Sequence, residues 1–139
     1  MAHALPGYNG LCKHIHGHSY RLEVTVSGQP DNTPGHSSEG MVLDFTGLKA
    51  IVQQEIILPL DHALMLKEGT LPSFTENDSE LFGKIVWVPW QPTCENMVLD
   101  FSRCIISKLP ERVKLCSLKL YETDTSHAEW YASDNMATI

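Results

Sequence analysis

Residues 16–28 read HGHSYRLEVTVSG. Tyr20, Leu22, Val24 and Val26 alternate with Ser19, Arg21, Glu23 and Thr25, the period of two that marks a half-buried strand over residues 19–28. His16 and His18, at its start, stand at i and i+2. A strand turns both imidazoles to one face, where one ion can take both. Gly17 between them suggests a close backbone approach. His3 lies on the preceding segment, Met1-Ala2-His3-Ala4-Leu5, which reads as the end of a strand whose beginning is absent. Paired beside His16, that segment supplies a third nitrogen. Three neutral imidazoles suit Zn2+ and leave a fourth position open, the pattern of a catalytic metal site. The H-x-H pair alone is as easily two exposed strand histidines, so the rest of the chain has to decide.

Outward from this strand, residues 29–39 (QPDNTPGHSSE) carry the Pro, Gly, Asn and Ser of a loop, and 40–45 (GMVLDF) read as a returning strand. Leu48, Ile51, Val52 and Ile56 recur at helical spacing, predicting a helix over 46–58 that Pro59 stops. Residues 67–83 read as a polar connector and 84–88 as a short strand. A second helix is expected from Thr93 to Leu109. Thr93 is its N-cap, Glu95 suits its positive end, and Met97, Val98, Phe101 and Ile105 form its buried stripe. Pro110 ends it. Residues 113–122 and 127–132 read as strands, and 133–139 as a loose tail. Grouped strands and grouped helices indicate an α+β fold, with two helices on one face of an antiparallel sheet. No internal repeat or second domain interrupts residues 1–139.

The 139 residues are enough for one domain with a proper core, and 42% are apolar. A net charge of −7 argues against a nucleic-acid surface. No apolar run approaches the ~18 residues of a membrane span. The four cysteines, Cys12, Cys94, Cys104 and Cys116, show no C-x-x-C pairing, and no signal-peptide pattern precedes them. The expectation is a cytoplasmic protein with reduced thiols.

Cys12 stands just before the metal pair. A nearby cation lowers a thiol's pKa and makes a usable base or nucleophile. Inert packing explains most single cysteines, but Lys13 and His14 beside this one make a core position a poor fit. Gly10, His16, His18 and Glu23 also match the first motif of the cupins, all-β metal-binding barrels. Against that reading, Glu23 has the wrong parity to share a face with His16 and His18. The chain also carries two helical segments and no second cupin motif.

Six segments in a shared order span most of the chain. They are Ala2-His3-Ala4-Leu5, the C-x-x-x-H-G-H of Cys12 to His18, Val42-Leu43-Asp44-Phe45, Leu60-Asp61-His62, Pro92-Thr93-Cys94-Glu95-Asn96 and Tyr121-Glu122-Thr123. In that order they resemble the 6-pyruvoyl-tetrahydropterin synthase superfamily, and the short cysteine-to-histidine spacer is most similar to its queuosine-pathway branch, the 6-carboxytetrahydropterin synthases. The resemblance implies the tunnelling fold. In it a four-stranded antiparallel sheet with two helices on one face closes a barrel by homo-oligomerisation into a trimer or hexamer, with sites at subunit interfaces. It implies zinc on His3, His16 and His18, and Cys12 as general base. Asp61 and His62 form a proton relay, Glu122 binds the pterin, and Thr93 helps frame its pocket. The implied reaction converts 7,8-dihydroneopterin triphosphate to 6-carboxy-5,6,7,8-tetrahydropterin, releasing acetaldehyde and triphosphate. The biopterin-branch elimination to 6-pyruvoyl-tetrahydropterin is the alternative, and a cupin-like enzyme or a pterin-binding protein without turnover stand further off.

Ordinary explanations exist for several of these residues. Asp61-His62 suits a solvated turn, Glu122 a surface carboxylate at a strand end, and Glu95 a helix-dipole partner with no catalytic role. The resemblance assigns nothing to His14, His36 or His127.

Overall fold

A computed structural model of the chain describes residues 1–70 and 82–135. The strand expected over residues 19–28 forms as β3 (Arg21–Gly28), after the short β1 (Ala2–His3) and β2 (His16–Gly17). β3 pairs antiparallel with β6 (Val113–Tyr121), and β6 with β7 (His127–Tyr131). A bulge between Thr25 and Val26 shifts the register. At the far end of β3 a side chain on Gly28 would stand 2.7 Å from the carbonyl of Arg112, so only glycine fits there.

The single four-stranded antiparallel sheet is not what forms. Among the described residues the antiparallel sheet has three strands, β3-β6-β7, and a separate four-stranded mixed sheet runs β2-β1-β4-β5. Its extra member, β4 (Ala63–Lys67), was not anticipated and lies parallel to both β1 and β5 (Lys84–Val88). Ala63, Leu64, Met65 and Leu66 are all buried. Met65 faces the main core, while Leu64 and Leu66 join Ala4 in a smaller cluster. A strand buried on both faces shows no alternation, which hides it from a period-of-two search.

The returning strand at 40–45 is also absent. Asp44 instead caps a helix, its carboxylate accepting from the backbone N–H of Thr46, and α1 (Phe45–Val52) begins there. Pro59 does not stop the helix. The backbone widens into a π turn at Gln53–Ile57 and continues as α2 (Leu58–Leu60), and the widened turn accommodates the ring and missing N–H of Pro59. α3 (Cys94–Ile106) forms as expected, with the Thr93 hydroxyl accepting from the Asn96 N–H. The 67–83 connector lies largely outside the described residues. Of the tail, Ala132–Asn135 forms a helical turn, α4, and residues 136–139 lie outside the described residues.

The expected stripe of α3 is buried: Met97, Val98, Phe101 and Ile105 pack in one cluster with Leu118, Leu120 and Trp130. Ile56 of the π turn joins the same cluster, as do the half-buried Leu22 and Val24 of β3. Both helical segments therefore cover one face of the three-stranded sheet, as the pattern predicted. All four cysteines are free, and among the described residues no helix is long and apolar enough to cross a membrane.

Ile105 is fully buried and distant in sequence from every candidate site residue. Ile105→Ala is expected to destabilise the fold by about 2–5 kcal/mol through lost burial and a residual cavity. Chemical denaturation should show this as a lower midpoint with an unchanged slope.

Candidate metal and substrate site

β1 pairs antiparallel with β2, setting Ala2 opposite Gly17 and His3 opposite His16. That register brings His3 beside the H-x-H pair, as expected. Gly17 is not required by crowding, because a side chain there would meet Met1 and Ala2 only at ordinary contact distances of 3.5 Å and more. The ring nitrogens of His3, His16 and His18 available to a metal lie within 4.8 Å of one another.

Hydrogen bonding fixes how two of these rings face. His3 Nδ1 donates to the carbonyl of Pro92 at 2.7 Å, and His16 Nδ1 donates to the carbonyl of His14 at 2.7 Å. With their Nδ1 protons so used, the two Nε2 atoms face each other 3.1 Å apart, and in the neutral form of the rings each presents a lone pair to the other. Two lone pairs so placed repel unless a cation lies between them. His18 Nε2 is buried without a hydrogen-bond partner, a cost that a ligated ion removes. Burial also holds His3 below the usual imidazole range, which keeps it neutral and ready to ligate. The donor set fits zinc on chemical grounds: three neutral imidazoles, with backbone carbonyls orienting two of them from behind.

Beside this cluster lies Glu122, one residue past the end of β6. Its backbone N–H donates to the Ser126 carbonyl at 3.0 Å. Oε1 stands 3.5 Å from His3 Nε2 and 3.8 Å from His18 Nε2, and it accepts from the Tyr20 hydroxyl at 3.1 Å. Tyr20 was read from sequence only as an apolar strand position. Its hydroxyl lies 3.4 Å from His3 Nε2, and its ring meets those of His3 and His18 edge-on. Burial and the Glu122 carboxylate push this phenol well above its ordinary pKa, so it remains a neutral donor. Alternation along β3 could have flagged the position but not the partner.

Cys12, Thr93 and Glu122 line one open cleft of about 540 Å³, together with Cys94, Gln91 and His127. Cys12 is half-buried in a 3-10 turn (Leu11–Lys13), and its carbonyl accepts from the Leu5 N–H, which ties the turn to the exit of β1. Thr93 spends its hydroxyl on capping α3, so it borders the cleft as a helix cap. The same stretch is fastened at its base by Gln91, whose side chain donates to the Pro6 carbonyl. Cys94 is buried, and burial pushes its thiol up to about 11, which makes it inert at neutral pH.

Asp61 and His62 form a pair at 3.0 Å, but they do not line the Cys12 cleft. Asp61 borders a cavity with His18 and Tyr20, and His62 borders another with Gly17 and His18. The His62 side chain is 93% exposed. Its backbone takes φ 55, the one left-handed non-glycine among the described residues, a conformation that costs energy and accumulates at functional positions. The histidines without an assigned role separate. His14 is exposed and contributes its carbonyl to His16, His36 pairs with Asp31 in an exposed loop, and His127 pairs with Glu129 at the cleft margin. Glu23, required by the cupin motif, is exposed and faces Arg21 at 3.7 Å, away from the histidines. The cupin reading falls with it and with the helices.

The chain is similar to known proteins over most of its length. The chain is 35% identical over 138 residues to the 6-carboxy-5,6,7,8-tetrahydropterin synthase of Haemophilus influenzae, covering 94% of this chain and 91% of that protein. It is 31% identical over 129 residues to the enzyme of the same name from Rickettsia bellii, covering 91% and 90%. Among solved structures, Plasmodium vivax 6-pyruvoyltetrahydropterin synthase superposes with a TM-score of 0.69 at 18% identity, over 93% of this chain and 87% of that one. An uncharacterized protein from Wolinella succinogenes superposes at 0.72 with 20% identity, over 94% and 92%. The family model described as 6-pyruvoyl tetrahydropterin synthase matches residues 1–133, and the chain belongs to that family.

Proposed function

We propose that the protein is a zinc-dependent lyase. It converts 7,8-dihydroneopterin triphosphate to 6-carboxy-5,6,7,8-tetrahydropterin, with release of acetaldehyde and triphosphate, in the formation of 7-deazapurines such as queuosine. The observation that carries this reading is the cluster of three metal-ready imidazoles beside Glu122, which shares a cleft with Cys12, in a chain similar to 6-carboxytetrahydropterin synthases.

His3, His16 and His18 would hold a zinc ion, which would supply Lewis-acid polarisation to the hydroxyl oxygens of the pterin side chain. Glu122 accepts N–H groups from the edge of the pterin ring, a charge-assisted contact that orients the substrate. Cys12 takes a proton from the side-chain carbon presented to it. Asp61 orients His62, which passes a proton to or from the substrate. Thr93 keeps the cleft wall in place by anchoring the start of α3. The separation of Asp61 and His62 from the Cys12 cleft within one chain supports an assembly in which this pair serves the site of a neighbouring copy. A trimer or hexamer closing a barrel by homo-oligomerisation provides that neighbour and covers sheet edges that one chain leaves open. The free cysteines suit a cytoplasmic setting.

Incubation with dihydroneopterin triphosphate should give a 6-carboxylated tetrahydropterin and acetaldehyde by mass spectrometry. A 6-pyruvoyl product would move the protein to the biopterin branch, and no product would leave it a binding protein. Elemental analysis after zinc loading should find about one zinc per chain in the wild type, whereas His16→Ala should lose most of it. Cys12→Ala should keep its zinc and its pterin affinity while losing about 10²–10⁴-fold in turnover. Zinc lost along with the thiol would make Cys12 a ligand and send the search for the base elsewhere.

A further inference from the structure

We propose that Tyr20 is a positioning residue that holds the Glu122 carboxylate off the metal, leaving it turned toward the substrate. The proposal rests on reading the three histidines as the zinc site and Glu122 as the pterin anchor.

Glu122 stands beside the metal-ready group without being part of it, since the ligand atoms that all lie within 4.8 Å of one another come from the three histidines alone. Two donors on one tetrahedral zinc, each at about 2.0–2.1 Å, stand about 3.3–3.4 Å apart. Oε1 is 3.5 Å from His3 Nε2 and 3.8 Å from His18 Nε2, within a few tenths of an ångström of that separation. Carboxylates are good zinc ligands, and the backbone of Glu122 is already fixed by its bond to Ser126. A side-chain rotation that brought Oε1 to His16 as well would close the open position and spend the carboxylate that the pterin needs.

Tyr20 opposes that rotation. Its hydroxyl donates to Oε1 at 3.1 Å. The other nearby acceptor, His3 Nε2 at 3.4 Å, has its lone pair committed once it ligates, so the single hydroxyl proton belongs to Glu122. The Tyr20 ring cannot easily follow the carboxylate toward the metal, because it is packed edge-on against both His3 and His18, with centroids at 6.1 and 5.5 Å. The phenol thus acts as a stop between two uses of one carboxylate. A tyrosine that only filled space would make the opposite prediction: losing its hydroxyl would leave zinc affinity unchanged or slightly loosen the site.

The test compares wild type, Tyr20→Phe and Tyr20→Phe/Glu122→Gln. Phenylalanine keeps the ring contacts, so folding is preserved. Zinc affinity is measured by competition with a chromophoric chelator, and pterin affinity by fluorescence titration with biopterin, which is not turned over. Tyr20→Phe should bind zinc about 10-fold tighter, the scale on which groups behind the ligands tune metal sites, and should bind biopterin about 10-fold more weakly. The double variant should return to wild-type zinc affinity, because its amide is a far poorer ligand. Zinc affinity in Tyr20→Phe equal to or weaker than wild type overturns the proposal. A wild type that holds no zinc overturns the metal reading beneath it, and that failure is visible in the control before any variant is measured.

Discussion

Two imidazoles with both Nδ1 protons given to backbone carbonyls, and with Nε2 lone pairs 3.1 Å apart, form an arrangement that repels itself until a cation joins it. The rest of the site is organised around this tension. The Pro92 carbonyl that fixes His3 belongs to the stretch that also caps α3 and lines the cleft. The β1–β2 pairing that sets His3 against His16 also brings the Cys12 turn up against Leu5. Metal donors, helix cap and thiol are therefore positioned by one set of backbone contacts. Disturbing any of them is felt by the others.

The second organising contact is the antiparallel ladder of β3 and β6. Its register sets Arg21 opposite Tyr121 and Leu22 opposite Leu120. Continued one step, it brings Tyr20 to Glu122, two residues 102 positions apart in sequence. The buried apolar rows of β3 and β6, packed under α3, hold that register, because a slip by one residue would turn the whole row to solvent. The hydrophobic core thus fixes the distance between a carboxylate and three imidazoles.

What could be read from the residues alone follows a physical line. His16 and His18 were legible because two residues apart on extended chain means one face, and His3 because a short apolar segment beside them had somewhere to pair. α3 was legible from its stripe and its cap. β4 was not, since burial on both faces erases the alternation that identifies a strand. Residues 40–45 looked like a strand because Met41, Val42 and Leu43 are apolar, yet Asp44 spends its carboxylate starting a helix. Pro59 looked like a stop because local rules ignore the π turn that admits it. Tyr20 was missed because its alternation accounts for its ring, while its hydroxyl acquires meaning only from Glu122, which no local pattern connects to it. The split of Asp61 and His62 from the Cys12 cleft is likewise a matter of three dimensions.

The Pro92 carbonyl also has a consequence in time. His3, His16 and His18 stand close in sequence, so they emerge together in synthesis, while the carbonyl that orients His3 follows 89 residues after it. Contacts of such long sequence separation close late in folding. A nascent chain therefore offers a loose histidine cluster, able to pick up a cation without geometric selection. Discrimination begins only when α3 and the ladder lock the rings in place. The order of chain growth separates capture of an ion from its selection.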